Sequence, residues 1–438
     1  MDVFYGDLSN ARYYYGSGEM GASPTDGGDY MPQGMRHTVD TRHSDDGERQ
    51  ADVEIFSGAE LPHRRNLTHV LPATLGALGM TIDNGIVSTH ESNEILEIPQ
   101  ASSAVVIIVD GLGYEQLQAR RGHVPNLRAY GIDQWITTVS PSTTAAAIAS
   151  FGTGVFPGQT AMPGYSLRST QNGKRFNLID WRGGDIEPQA WQRVPTVFEQ
   201  LAHENREWAE NKHGCVLIQP KKFIGSGLTL AALRGAPSVA AQSLCERVDV
   251  TVDYLRRGAR LCYLYWGDLD KTGHHHGWQS DNWVGELEEF DAGFGDLLRR
   301  VPTGTLVVLT ADHGMVDASA KIDLAERNEM MKDIDFFAGE ERAVHLYTRE
   351  PESVAERWRN EFGDEFWIAT QSDIESSGIF GHLSAQTRMV MGDIVVFART
   401  DRGIVHSAYD SQGAMDLIGV HGSLTTAEMR IPFLVGIA

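Results

Sequence analysis

The sequence predicts an α/β fold, a central and mostly parallel β-sheet flanked by helices, with a small α/β cap inserted late in the chain. Three features lead there. Short, unbroken runs of β-branched and aliphatic residues recur, as strands buried on both faces require. Each run ends in a polar stretch bearing a carboxylate, and the segments between carry large apolar residues at helical spacing. A chain of 438 residues, 41% of them hydrophobic, can fill a core of that size.

In chain order, Met1 to about Arg49 is rich in Gly, Asp and Ser and poor in aliphatic residues, so residues 1–50 read as a disordered or weakly ordered tail. A translation start at Met35 would account for it equally well. Ordered structure is expected from about Leu61, where Leu71, Leu75, Leu78 and Met80 open an apolar pattern. Strands are predicted at Ser103 to Val109, Leu261 to Trp266 and Thr305 to Thr310. They run into Asp110, Gly267-Asp268-Leu269-Asp270 and Ala311-Asp312-His313-Gly314 respectively. Ser238 to Leu255 is predicted helical, and Trp283, Leu287, Phe290, Phe294, Leu297 and Leu298 describe an amphipathic crossover helix. Between Lys321 and about Thr400, a strand at Ala343 to Tyr347, a helix at Glu352 to Phe362 and strands near Trp367 and at Ile394 to Ala398 make up the cap. Arg430 to Ile437 returns to a buried-strand pattern. The predicted division is a main α/β domain over 51–320 and 401–438, with the cap over 321–400.

A formal charge of -22 argues against a surface built for a nucleic-acid polymer, which needs a basic stripe. A small phosphorylated substrate remains compatible, because metal ions can supply positive charge locally. Cys215, Cys245 and Cys262 are an odd count in a long chain and unlike a disulfide framework, and read as small packing residues. The opening residues lack the apolar run of a secretory signal, and no stretch is apolar enough to span a bilayer, so a cytoplasmic, non-membrane protein is expected.

Four polar clusters fall at strand ends or in adjoining loops: Asp110-Gly111, Asp270 with His274, Asp312-His313-Gly314, and His421-Gly422. Carboxylate and imidazole without thiolate suit a catalytic rather than a closed structural zinc site. Asp270 and His274 are four apart with Gly273 between, close enough to share an ion from one loop; of His274, His275 and His276, that spacing selects His274. Ser140-Pro141-Ser142-Thr143-Thr144 precedes the helix-forming run Ala145-Ala146-Ala147-Ile148-Ala149-Ser150. A hydroxyl there meets exposed backbone N–H groups suited to phosphate, although an ordinary N-cap accounts for the same cluster.

The order of these pieces resembles the nucleotide pyrophosphatase/phosphodiesterase branch of the alkaline phosphatase superfamily. Asp110-Gly111, Pro141-x-x-Thr144, Thr153-Gly154, Asp270-x-x-x-His274, Asp312-His313-Gly314 and His421-Gly422 follow one another as in that family, over about Ser103 to Ile437. The resemblance implies an alkaline-phosphatase-like sandwich and two zinc ions, with manganese as an alternative. It places Asp110, Asp312, His313 and Thr144 on one ion and Asp270, His274 and His421 on the other. Thr144 matches the nucleophile, with Thr143 as the alternative, and a phosphothreonine intermediate follows. The family's phosphoryl-binding asparagine falls on Tyr165, which could bind substrate or simply pack, and Thr160-Ala161 replaces the usual His-Gly. The implied activity is hydrolysis of a small phosphate ester, with a nucleotide as one candidate, by a phosphodiesterase or nucleotide pyrophosphatase. A phosphomonoesterase or phosphonate hydrolase is the alternative, ahead of a phosphoglycerate-mutase-like isomerase or a non-catalytic binding protein. A sulfatase is unlike the chain, since no Cys or Ser followed by Pro and Arg stands at the nucleophile.

Overall fold

The computed structural model describes residues 55–204 and 214–438; the tail expected over 1–50 lies outside the described residues. Five strands form the body of the main sheet: β1 (Ser103–Val109), β2 (Cys215–Gln219), β3 (Ser238–Ala240), β4 (Leu261–Trp266) and β5 (Thr305–Thr310). They are parallel, in the spatial order β5-β1-β4-β2-β3. Every residue of β2, β4 and β5 is buried, which explains why these strands read as unbroken apolar runs rather than alternating ones. The register is what matters for the site. Val109 pairs with Trp266 and Ile108 with Thr310, so Asp110, Gly267 and Asp312 leave the sheet along one carboxyl edge.

The crossover helix between β4 and β5 spans Asp281–Arg300 and buries Trp283, Leu287, Phe290 and Phe294. Ser280 caps it, accepting from the Trp283 N–H, and Arg299 and Arg300 sit in its last turn, where the helix dipole favours cations. Leu71, Leu75, Leu78 and Met80 are all buried, on and just after the helix Val70–Ala77.

Two expectations need correction. Ser238 to Leu255 is not one helix: Ser238–Ala240 is the edge strand β3, and the helix runs Leu244–Arg256. A reciprocal capping box sets that start, Ser243 accepting from the Glu246 N–H while the Glu246 carboxylate accepts from the Ser243 N–H. Arg430 to Ile437 is likewise two strands. Arg430–Pro432 pairs with Trp135–Thr137; Pro432 has no N–H to continue a ladder, and the chain changes partner beyond it.

The cap sheet comprises β6 (Ile334–Glu340), β7 (Ala343–Thr348), β8 (Phe366–Thr370) and β9 (Ile394–Ala398), antiparallel in the order β6-β7-β9-β8. The strand β6 was not foreseen, having half-buried, mixed residues. The helix Pro351–Phe362 lays Val354, Ala355, Trp358 and Phe362 into a core of the cap's own. The last strand, β10 (Leu434–Ile437), adds antiparallel to the free edge of β5.

A buried ion pair ties the cap to the C-terminal segment. Arg342 places Nε 2.6 Å from Glu428 Oε1 and Nη2 2.8 Å from Oε2, both side chains being fully buried. The Thr400 and Arg402 carbonyls accept from Nη1, and Ser423 N–H and Thr425 Oγ1 donate to Glu428. Removing one partner of such a pair strands the other charge in the interior. Arg342→Leu is therefore expected to lower stability by about 3–5 kcal/mol, read by urea denaturation; a loss under about 1 kcal/mol would mean that water reaches Glu428.

Candidate active site

The carboxyl edge of the sheet gathers three carboxylates. Asp110 ends β1, Asp312 follows β5, and Asp270 lies in the first turn of the helix Asp268–His276 after β4. Asp270 and His274 thus share a helix face one turn apart, rather than a loop; His274 Nε2 is 3.1 Å from Asp270 Oδ2. His275 and His276 are exposed, whereas His274 is half-buried and faces Asp270.

Backbone hydrogen bonds aim each carboxylate. Asp312 Oδ1 accepts from the Gly111 and His313 N–H groups at 3.2 and 3.0 Å, which turns Oδ2 inward. Tyr265 donates its hydroxyl to Asp110 Oδ2. Gly111 has φ +73°, and a Cβ there would stand 2.8 Å from Asp270 Oδ1, so only glycine lets the two loops approach. Asp110 Oδ1, Asp270 Oδ1 and Asp312 Oδ2 are left buried with no hydrogen-bond partner.

The histidines are oriented in one way. His274 Nδ1 is 2.7 Å from Gly419 O, His313 Nδ1 is 3.0 Å from Gly314 O, and His421 Nδ1 is 2.9 Å from Ser142 O. A carbonyl only accepts, so each Nδ1 carries the proton, and in the neutral ring Nε2 presents a lone pair. Those Nε2 atoms face the carboxylates: His313 stands 3.4 Å from Asp110 Oδ1 and 3.5 Å from Asp312 Oδ2, and His421 stands 3.9 Å from Asp270 Oδ1. Two groups able to hold a metal ion result, Asp270 with His274 and His421, and Asp110 with Asp270 and His313. Asp270 is common to both, and Asp312 adjoins the second through His313.

Titration follows from this crowding. Burial, then the neighbouring Asp312 and Asp270 carboxylates, hold Asp110 well above the usual carboxylate range, and burial raises Asp312 as well. Burial works against ionised Asp270 too, but His274, His421 and His313 together hold it below its ordinary value. Burial lowers His421 strongly, whereas Asp270 outweighs burial at His274 and lifts it to about 9. Buried carboxylate oxygens without donors cost about 1–3 kcal/mol each unless a cation meets them. Orphaned oxygens beside imidazole nitrogens are a donor set that fits a divalent metal ion.

Thr144 is the first residue of the helix Thr144–Thr153, with Oγ1 3.1 Å from His313 Nε2. Thr143 is the N-cap but makes no side-chain cap bond, so the first-turn N–H groups have no hydroxyl partner there. Ser142 locks this loop to the His421 turn: its Oγ donates to Ser423 O and accepts from Gly422 N–H, and its N–H donates to Gly422 O. The cluster lies in a cleft of about 870 Å³. Tyr165 lines it, 41% exposed, with its phenol beside Asn177 and burial raising the phenol pKa. Where the resemblance led one to expect His-Gly, Ala161 adopts φ +58°, a left-handed backbone glycine would enter more cheaply. Arg175, Asn177 and Glu340 also line the cleft and were not foreseen, since each stands in a stretch without motif or periodicity.

The family model described as type I phosphodiesterase / nucleotide pyrophosphatase matches residues 104–424, and the chain belongs to that family. No protein of curated function matches it in sequence. Among solved structures, it is similar to murine ectonucleotide pyrophosphatase/phosphodiesterase 5, at 18% identity over 76% of this chain and 87% of that one, with a TM-score of 0.59. It is similar also to phosphonoacetate hydrolase from Sinorhizobium meliloti 1021, at 17% identity over 77% and 91% of the two chains, with a TM-score of 0.58. No helix among the described residues is long and apolar enough to cross a membrane.

Asp270 borders both groups, so Asp270→Asn is expected to strip metal while the fold survives. Plasma mass spectrometry of the dialysed variant should find at least about one ion per chain fewer than in the native protein. Native metal content would remove Asp270 from the ligand set.

Proposed function

We propose that this member of the type I phosphodiesterase / nucleotide pyrophosphatase family is a two-zinc hydrolase of small phosphate esters, with Thr144 as nucleophile and a phosphothreonine intermediate. The observation that carries the reading is the convergence of three orphaned carboxylate oxygens and three imidazole Nε2 atoms beside a threonine at an uncapped helix start. Asp110, Asp312, His313 and Thr144 would hold one ion and Asp270, His274 and His421 the other, with manganese as a possible substitute. Bound ions of this kind supply the positive charge that lets a hydroxyl ionise near neutral pH and that offsets charge on the phosphoryl and leaving oxygens.

The chain's own groups then act as follows. Thr144, its proton released to solvent, forms a bond from Oγ1 to phosphorus as the bond to the leaving oxygen breaks. That electron pair stays with the leaving group, which takes a proton from water. First-turn N–H groups after Thr144 hydrogen-bond the phosphoryl oxygens where negative charge builds. Water then attacks phosphorus in line, returning Thr144 as a hydroxyl and releasing the phosphate.

A diester preference follows the family name, and AMP is bound in an inactive form of the murine protein. One observation favours a second reading, phosphonate or monoester hydrolysis: Tyr165 occupies the place of the asparagine that the family resemblance leads one to expect. Bis-p-nitrophenyl phosphate assayed beside p-nitrophenyl phosphate, with and without chelator, separates the two.

Thr144→Ala is expected to cut turnover more than about 1,000-fold, with metal content close to native. Near-native activity would overturn the nucleophile, and a loss confined to Thr143→Ala would move it by one residue.

A further inference from the structure

The cap sends one carboxyl group into the cleft without a partner to neutralise it. Glu340 ends β6, and Ser166 pins that end by donating from Oγ to Gly339 O at 2.8 Å and accepting from Gly339 N–H at 3.1 Å. Glu340 Oε2 accepts from the Tyr165 N–H at 2.6 Å, while Oε1 is shielded from solvent and has no hydrogen-bond partner. The side chain adjoins Thr143, the residue before the nucleophile. It also presses on the turn after His421: a Cβ at Gly422 would stand 2.8 Å from Glu340 Cγ and 3.1 Å from Oε1. Arg342, two residues along, is committed to Glu428. Glu340 and Thr144 line the same cleft.

We propose that Glu340 binds the phosphoryl group of the substrate, donating a hydrogen bond from Oε1 to a non-bridging oxygen. The proposal rests on the phosphoryl-transfer reading above. An ionised carboxylate is acceptor-only and would repel a phosphoryl oxygen, whereas a carboxylic acid donates one hydrogen bond and still accepts another. The surroundings favour the acid. Burial, reinforced by the negative charge of Glu428 and opposed by the Tyr165 N–H and the adjoining Thr143 hydroxyl, pushes Glu340 up to about 8. The groups facing it are the Tyr165 backbone and phenol, Thr143, and the Glu428 carboxylate, whose charge Arg342 offsets. With Oε2 occupied by the Tyr165 N–H, the proton belongs on Oε1, the oxygen that lacks a partner.

Glutamine reproduces this pattern permanently, one oxygen accepting and one NH₂ donating, and alanine removes it. The test uses metal-loaded full-length native protein, Glu340→Gln and Glu340→Ala, with metal content measured for each. Calorimetric titration with inorganic phosphate should give Glu340→Gln an affinity within about 3-fold of native, and Glu340→Ala one weaker on the order of 10- to 100-fold. On bis-p-nitrophenyl phosphate, the ratio of kcat/KM for Glu340→Gln over native should rise as pH passes upward through about 8, because only the native donor is lost there. Native-like phosphate binding by Glu340→Ala, equal weakness of the glutamine and alanine variants, or no phosphate binding by the native protein would each overturn the assignment. Turnover failure with phosphate binding intact would instead strike the hydrolase reading and leave the titration to decide on Glu340.

Discussion

Three carboxylates held together out of water set the terms for the rest of the molecule. Two unit charges 4 Å apart repel by about 4 kcal/mol at an effective dielectric near 20, and Asp270 and Asp312 crowd Asp110 closely enough to add to burial in raising its pKa. The parallel register of β1, β4 and β5 brings them to one edge, and backbone N–H groups of Gly111 and His313 fix Asp312 in place. Imidazoles whose Nδ1 protons are committed to carbonyls complete the ring. Folding tolerates this concentration of charge because the backbone is pinned on all sides, and divalent cations would turn the repulsion into binding energy.

The same pinning joins distant parts of the chain. Ser142 bonds the His421–Ser423 turn by four hydrogen bonds, so the nucleophile loop and the last histidine ligand candidate are one unit. Glu428 holds the Ser423 N–H on one side and Arg342 of the cap on the other. A continuous set of contacts therefore runs from the cap through Glu428, Ser423 and Ser142 to Thr144. The cap is built into the site's frame, and Tyr165 and Glu340, linked through a backbone hydrogen bond, meet where the two sheets face the cleft.

Much of this was legible because the main sheet is buried on both faces: β1, β4 and β5 read as unbroken apolar runs, and the polar residues after them could only be at strand ends. The family model matches residues 104–424, most of the stretch over which the motifs suggested the resemblance. Local signals failed where tertiary contact decides. Ser238–Ala240 becomes a strand only because β2 offers an edge, and Ser243 with Glu246 restarts the chain as a helix. The Asp270 and His274 pair looked like a loop because Gly273 lies between them; in the fold that glycine lets the helix approach Met315, whose Sδ a Cβ would meet at 2.4 Å. Glu340 carries no motif, and its meaning comes from Tyr165, Thr143 and Gly422, all remote in sequence.

In the proposed reaction phosphorus passes through Thr144 rather than going to water in one step. Each in-line displacement inverts phosphorus, so a covalent route gives two inversions and a direct route one. The decisive measurement is the stereochemical course of hydrolysis of a P-chiral thiophosphate diester in isotopically labelled water by the metal-loaded protein. Net retention is expected; net inversion would show that water attacks the substrate directly and that no phosphothreonine forms on Thr144.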